Sequence, residues 1–211
     1  MKNRILIALM SIMLIPVFTS QAFAWLIYSK PEFRGRVIDA ESKQPIEGAV
    51  VVVLYEKWEF GGPGGGNTLP MDAKETLTDK NGEFYFPAYK TIMGPLSKVS
   101  EVSFIIFKPG YMSVTRIDGI NIPDEKYFSI EKDMIGKEGE LKYVNTRLYD
   151  PDTVTWKGRM GIVELKRTKT REEKLLAIPS PPTDYTSKEL PLFIKIINEA
   201  GNNLGLKGGY K

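Results

Sequence analysis

The chain offers catalysis a narrow set of side chains. It contains no histidine and no cysteine. A Ser-His-Asp or Cys-His mechanism is therefore excluded, as is any His-ligated zinc or iron centre. Carboxylates, Ser-Lys pairs and oxygen-bound metals remain. Acidic residues near expected turns are Asp39, Glu41, Asp72, Asp79, Asp118, Asp124 and Glu125. Paired carboxylates can hydrolyse a glycosidic bond, but nothing in the sequence brings a pair together. Asp at a turn or strand end ordinarily accepts hydrogen bonds from its own backbone. Calcium needs only oxygen ligands, yet no ligand-loop spacing is present. No residue is assigned a catalytic, cofactor-binding or metal-ligating role, and no cofactor is expected.

Three other features invite a chemical reading. The glycine-rich run Phe60 to Pro70 (FGGPGGGNTLP) resembles a phosphate cradle only in glycine content. It lacks the Gly-Lys-Ser/Thr ending that engages phosphate and metal, so it is expected to be a mobile surface loop. The basic run Lys166 to Lys174 (KRTKTREEK) is diluted by Glu172 and Glu173 and is expected to be a solvated face rather than a nucleic-acid or membrane patch. Trp58, Tyr89 and Trp156 would serve a glycan platform if exposed; core or surface-filling roles are the simpler expectation.

These residues need elements to position them. Lys2 and Arg4 precede an apolar run from Ile5 to Phe18, and Ala22-Phe23-Ala24 places small residues at −3 and −1. That layout is a signal peptide cut after Ala24. The alternative is an uncleaved anchor, since no charge occurs between Arg4 and Lys30. Lys2 and Arg4 leave with the signal, so 29 basic and 26 acidic residues become a mature charge of +1. Such a chain has no global pull toward nucleic acid or anionic lipid. Without cysteine it has no disulfides, and a packed core must stabilise it.

Short strands with turn signals follow. Phe33 to Asp39 and the valine-rich Ala49 to Tyr55 suit antiparallel neighbours, the second buried on both faces. Thr76 to Thr78, the turn Asp79-Lys80-Asn81-Gly82 and Glu83 to Phe86 make a hairpin, with Phe84 and Phe86 on one face. Val102 to Phe107, Tyr111 to Thr115 and a closing strand Tyr143 to Tyr149 complete the pattern; 118–140 reads as a surface excursion. The expectation is all-β, a seven-stranded antiparallel sandwich over residues 31–150. Residues 151–211 form a charged, Pro-containing extension with one amphipathic helix at 189–200, carrying Leu190, Phe193, Ile194 and Ile197 on one face, Pro191 early and Gly201 at its stop.

The motifs Gly35-x-Val37-x-Asp39, Pro45-Ile46-x-Gly48-Ala49-x-Val51, Thr78-Asp79-x-x-Gly82-x-Phe84 and Pro109-Gly110-Tyr111 occur in this order. Residues 33–115 thereby resemble the carboxypeptidase regulatory-like domain. The resemblance implies a transthyretin-like or Ig-like sandwich, usually an accessory module of exported proteins. It does not cover the tail after 150, and no zinc peptidase domain accompanies it. Histidine-dependent enzymes on similar sandwiches, such as intradiol dioxygenases and transthyretin-like hydrolases, are excluded by composition.

The functional expectation is a non-catalytic binding or structural module of the cell envelope, periplasmic or extracellular. Its partner would be another envelope protein, or alternatively a glycan; a carboxylate-dependent hydrolase ranks third. No nucleic acid is expected, and membrane attachment only if the N-terminal segment is retained.

Overall fold

A computed structural model describes residues 27–115, 128, 138–144, 151–157, 160–182 and 184–211; at 101, 138–144 and 151–157 it describes backbone only. The signal segment and its cut lie outside these residues, as do Asp118, Asp124, Glu125 and most of the expected closing strand 143–149.

Ten strands and two helices are described. They are β1 (Ile27–Lys30), β2 (Phe33–Asp39), β3 (Val50–Phe60), β4 (Gly66–Leu77), β5 (Glu83–Phe86), β6 (Tyr89–Ile92), β7 (Ser97–Phe107), β8 (Glu138–Val144), β9 (Pro151–Lys157), β10 (Met160–Leu165), α1 (Arg171–Ala177) and α2 (Pro191–Asn203). One sheet runs β5-β2-β10-β9-β8, a second β4-β3-β7, and β1 pairs with β6. The fold is an all-β sandwich with a short C-terminal helix.

Strand alternation explains how β3 serves two cores. Val51, Val53 and Tyr55 point inward and join Phe33, Val37, Phe84, Phe86, Phe104, Ile106, Val163 and Leu165 between the two large sheets. Val50, Val52 and Leu54 point outward, with Ile105 and Phe107 of β7, and α2 covers them with Phe193, Ile194, Ile197 and Ala200. The valine run is thus buried on both faces because the sheet has a layer on each side. Phe84 and Phe86 are both buried, as their alternation requires, while Tyr85 is exposed. Gly48 and Gly82 take positive φ, 68° and 75°.

Several expectations need correction. The sheet does not stop at 150: β9 and β10 extend it to Leu165, and β10 lies between β2 and β9. The β10–β2 pair is parallel, Val163 opposite Val37, within an otherwise antiparallel arrangement. The glycine-rich loop shrinks to Gly61–Gly65, closed by the Gly61 N–H donating to the Gly65 carbonyl at 2.8 Å. Residues 66–70 are strand, paired with 56–60 of β3. Residues 111–115 form only isolated bridges, Val114 to Ile106 and Tyr111 to Arg167. The expected surface excursion also sends one residue inward: Phe128 is buried against Phe104, ring centroids 4.5 Å apart.

The tail is more ordered than its charge suggested. Thr170 and Glu173 form a reciprocal capping box that starts α1. Helix α2 begins with Pro191 at its first turn and continues to Asn203, so Gly201 is a buried helical residue rather than the stop. Leu190 supplies no side-chain cap. Glu75 of β4 takes that role: its two carboxylate oxygens accept from the backbone N–H of Leu192 and Phe193, both at 2.8 Å. A sheet carboxylate at a helix N-terminus also meets the positive end of the dipole.

Candidate functional site

Two places collect the acidic residues of the described structure. The first is a clasp around Asp39, at the end of β2. The Asp39 carboxylate is buried and accepts four hydrogen bonds. Oδ1 accepts from the backbone N–H of Glu41 at 3.0 Å and of Ser42 at 2.8 Å. Oδ2 accepts from the Tyr111 hydroxyl at 3.0 Å and from Arg167 Nε. Tertiary pairing brings them together. Leaving β10, the chain runs beside the Pro-Gly-Tyr turn: Met112 N–H donates to the Lys166 carbonyl and Thr168 N–H to the Gly110 carbonyl. That register sets Arg167 over the Tyr111 ring, 5.4 Å from its centroid.

The donors decide what Asp39 can do. The Ser42 backbone N–H, then Arg167 and Tyr111, hold its carboxyl well below the usual carboxylate range against the opposing effect of burial. Burial, then Asp39 itself, pushes the Tyr111 hydroxyl up. A carboxylate this strongly solvated by protein is a poor base. Its role is to lock three chain segments together.

The other acidic turn residues stay apart. Glu41 is exposed, 3.8 Å from Lys169. Asp79 accepts from the backbone N–H of Asn81 and of Glu83, both at 2.8 Å, an Asx-type turn. Asp72 pairs with Lys74 at 2.8 Å, and its charge adds to burial in pushing the Tyr89 hydroxyl up. Among the described residues no three Asp or Glu converge in a metal-binding group.

Of the aromatic candidates, Tyr89 and Trp58 are partly covered by neighbouring side chains. Tyr89 stacks on Tyr55, centroids 4.3 Å apart. Lys98 Nζ sits 4.5 Å from the Trp58 ring centroid. Gly66 lies against the same ring: a Cβ there would come within 2.2 Å of it. This contact is why the glycine-rich segment can pair as strand beneath a tryptophan. For Trp156 only the backbone, in β9, is described.

The second place is a cleft of about 410 Å³ on the outer face of the β4-β3-β7 sheet. Helix α2 covers part of that face; the strap Ser180-Pro181-Pro182, with Asp184 and Tyr185, walls the rest. Leu54 of β3 and Ile105 of β7 contribute apolar surface, with Pro70 on the β4 side. Glu56, Thr68, Thr115, Ser180, Asp184 and Tyr185 add oxygen-bearing side chains. The β-bulge between Tyr55 and Glu56 sets this end of β3. Glu56 is buried, 8% exposed. The Tyr185 hydroxyl is shielded from solvent and has no hydrogen-bond partner among the described residues. Burial first, then the charges of Asp72, Glu56 and Asp184, push that hydroxyl far above its usual range.

The sequence singled out none of Glu56, Thr68, Asp184 or Tyr185. Residues 60–70 read as a surface loop, and Ser180 to Pro182 fall within the charged, Pro-containing extension, so the sequence does not bring the two walls together. The usable signal was the parity of β3, which aims Leu54 outward where a soluble sheet needs cover.

No family model matches the chain, and no curated protein does. Among solved structures, 3-chlorocatechol 1,2-dioxygenase from Rhodococcus opacus 1CP aligns over 67% of this chain and 60% of its own, with 17% identity and a TM-score of 0.27. At that score the likeness carries no argument about fold or activity. This chain is therefore similar to that dioxygenase only weakly, and spans about 60% of its length.

Proposed function

We propose that this chain is an exported, non-catalytic binding module of the cell envelope, and that it meets its partner through the cleft between the outer sheet face and the strap of Ser180, Pro181, Pro182, Asp184 and Tyr185. The observation that carries this reading is the cleft itself. It is concave, has apolar and polar walls, and falls within the usual ~300–1,000 Å³ range of ligand sites. The resemblance of residues 33–115 to an accessory domain of exported proteins points the same way, as does the signal-like layout ahead of Trp25. The Asp39 clasp offers no competing active site, because its carboxylate is saturated with donors.

A photo-crosslinking residue placed at Thr68 tests the reading in intact cell envelopes. A discrete adduct is expected from Thr68 and none from the same residue at exposed Lys80. Equal labelling at both positions would count against the cleft. Export is checked by mass spectrometry of the purified chain, with Trp25 as the expected N-terminus; a chain still starting at Met1 would remove the cleavage claim.

A further inference from the structure

Neither the clasp nor the cleft accounts for one end of the sandwich. Strands β1 and β6 form a two-stranded ribbon in which Ile27 lies opposite Ile92. Alternation gives the ribbon two faces. Tyr28 and Lys30 of β1 are buried, whereas Ile27 and Ser29 face outward. Ile92 and Lys90 of β6 share that outward face, as the register requires. Ile27 is 51% exposed and Ile92 80%. The chain then turns at Gly94, whose carbonyl accepts from the Ser97 N–H at 3.1 Å, and presents Leu96, 64% exposed. The Leu96 carbonyl accepts from the Phe60 N–H, also at 3.1 Å, where β3 ends. Phe60 is 49% exposed. Neighbouring segments thus carry four large apolar side chains at one end of the fold.

Single exposed aliphatics are ordinary on a protein surface, but a group of them marks an interaction. What this group meets follows from where the chain enters it. Ile27 opens β1, and the sequence ahead of it is the apolar run Ile5 to Phe18 followed by Ala22-Phe23-Ala24, the layout of a segment that engages a membrane. Ile27 is only three positions beyond Ala24, a reach of at most about 11 Å. The polar layer on each side of a bilayer is of that order, about 5–8 Å. While the apolar run is in a membrane, the ribbon is therefore held at the lipid surface. Its composition suits that surface. Aliphatic side chains can enter the boundary between headgroups and acyl chains while Lys90 stays at headgroup level. The mature charge of +1 leaves apolar burial as the main attraction. We infer that this end of the protein rests reversibly on a lipid bilayer, with Ile27, Ile92 and Leu96 as the inserting residues. The inference does not use the cleft, so the Thr68 crosslink and the bilayer contact stand or fall separately.

The test uses the exported chain from Trp25 to Lys211, which contains every described element. It is sedimented with vesicles of phosphatidylethanolamine and phosphatidylglycerol. Binding is expected to rise with lipid concentration. Ile92→Ser should weaken it by about three- to tenfold, the effect of returning one partly inserted aliphatic side chain to water. Replacing Ile27 and Ile92 together by serine should abolish it. Leu77 is also exposed, 42%, but pairs with Val50 at the other end of β3 from Phe60. Leu77→Ser should therefore bind like the wild type. Ile92→Trp should give blue-shifted fluorescence on the vesicles, quenched by brominated acyl chains. Absence of binding by the wild type would overturn the inference. So would binding that ignores both serine changes and disappears in about 0.5 M salt, because such binding is electrostatic alone. Self-association that Ile92→Ser removes, without vesicle binding, would overturn it in favour of a second copy of this chain.

Discussion

Two buried acidic groups, Asp39 and Glu56, stand in different settings. Asp39 is surrounded by donors: two backbone N–H groups, a phenol and a guanidinium meet its two oxygens. Glu56 sits at the β-bulge of β3, on the wall of a cleft that Asp184 and Tyr185 also line. Burying a charge costs free energy in both places unless something replaces the lost water. At the clasp the replacement is complete and internal, so the site holds the fold together. At the cleft Glu56 and Asp184 line a concavity rather than lock neighbouring chain segments together. Burial alone therefore does not say what an acid does; the segments packed around it do.

Perturbing the two regions should separate them. The largest loss belongs to the layer that roofs the cleft side. Phe193→Ala removes a fully buried ring between α2 and the outer sheet face. It should cost about 3–5 kcal/mol in denaturant-induced unfolding. A smaller loss would mean that α2 is only loosely attached.

Next comes the clasp. Asp39→Ala should lower stability by about 2–4 kcal/mol, since hydrogen bonds to a charged group are worth roughly 1.5–3 kcal/mol and buried donors lose their acceptor. The pH dependence follows from its sign. A depressed carboxyl in the folded state contributes stability that is present above the unfolded value, about 3.9. It is lost as the pH falls through the lower folded value. The wild type should thus lose part of its stability below about pH 4, and Asp39→Ala should flatten that limb of the unfolding curve. Identical acid limbs in the two proteins would show that Asp39 is not the linked group.

Glu75→Gln keeps one acceptor at the N-terminus of α2 but removes the charge and one strong bond. A loss of about 0.5–2 kcal/mol is expected, the usual size of a helix N-cap effect. It should appear as faster hydrogen exchange at Leu192 and Phe193 before the rest of the fold opens. The smallest effect should be at the cleft itself. Asp184→Asn should shift stability by less than about 0.5 kcal/mol, as exposed substitutions usually do. A large destabilisation there would make Asp184 structural, and would erase the contrast with Asp39.

How far these regions could be read in advance differs for a physical reason. The inward pattern of Phe84 and Phe86, the positive-φ turn glycines and the apolar face of α2 are local properties of alternation, backbone freedom and helical spacing, and each appears in the structure. Strand β10 also alternates, with Gly161, Val163 and Leu165 buried. The charges that follow it made the whole stretch look like a solvated tail. Its parallel partner β2 lies more than a hundred residues earlier, and no turn between them announces the pairing. Thr170-x-x-Glu173 is a local capping box, set inside the same charged run. Glycine content argued for an open loop at 60–70, whereas Gly66 is in a strand because the Trp58 ring occupies the space of a side chain.

By itself the sequence determined the chemical limits and the local elements. The absence of histidine and cysteine excludes whole classes of site, and side-chain periodicity selects strand or helix through which face can be buried. Only the tertiary structure decided which acids become anchors and which become walls. Asp39 acquires Arg167 through a parallel strand pair, and Glu56 meets Asp184 across a cleft because a proline strap crosses the uncovered end of a sheet. Long-range packing sets both, since a carboxylate's role depends on the donors that other segments bring to it.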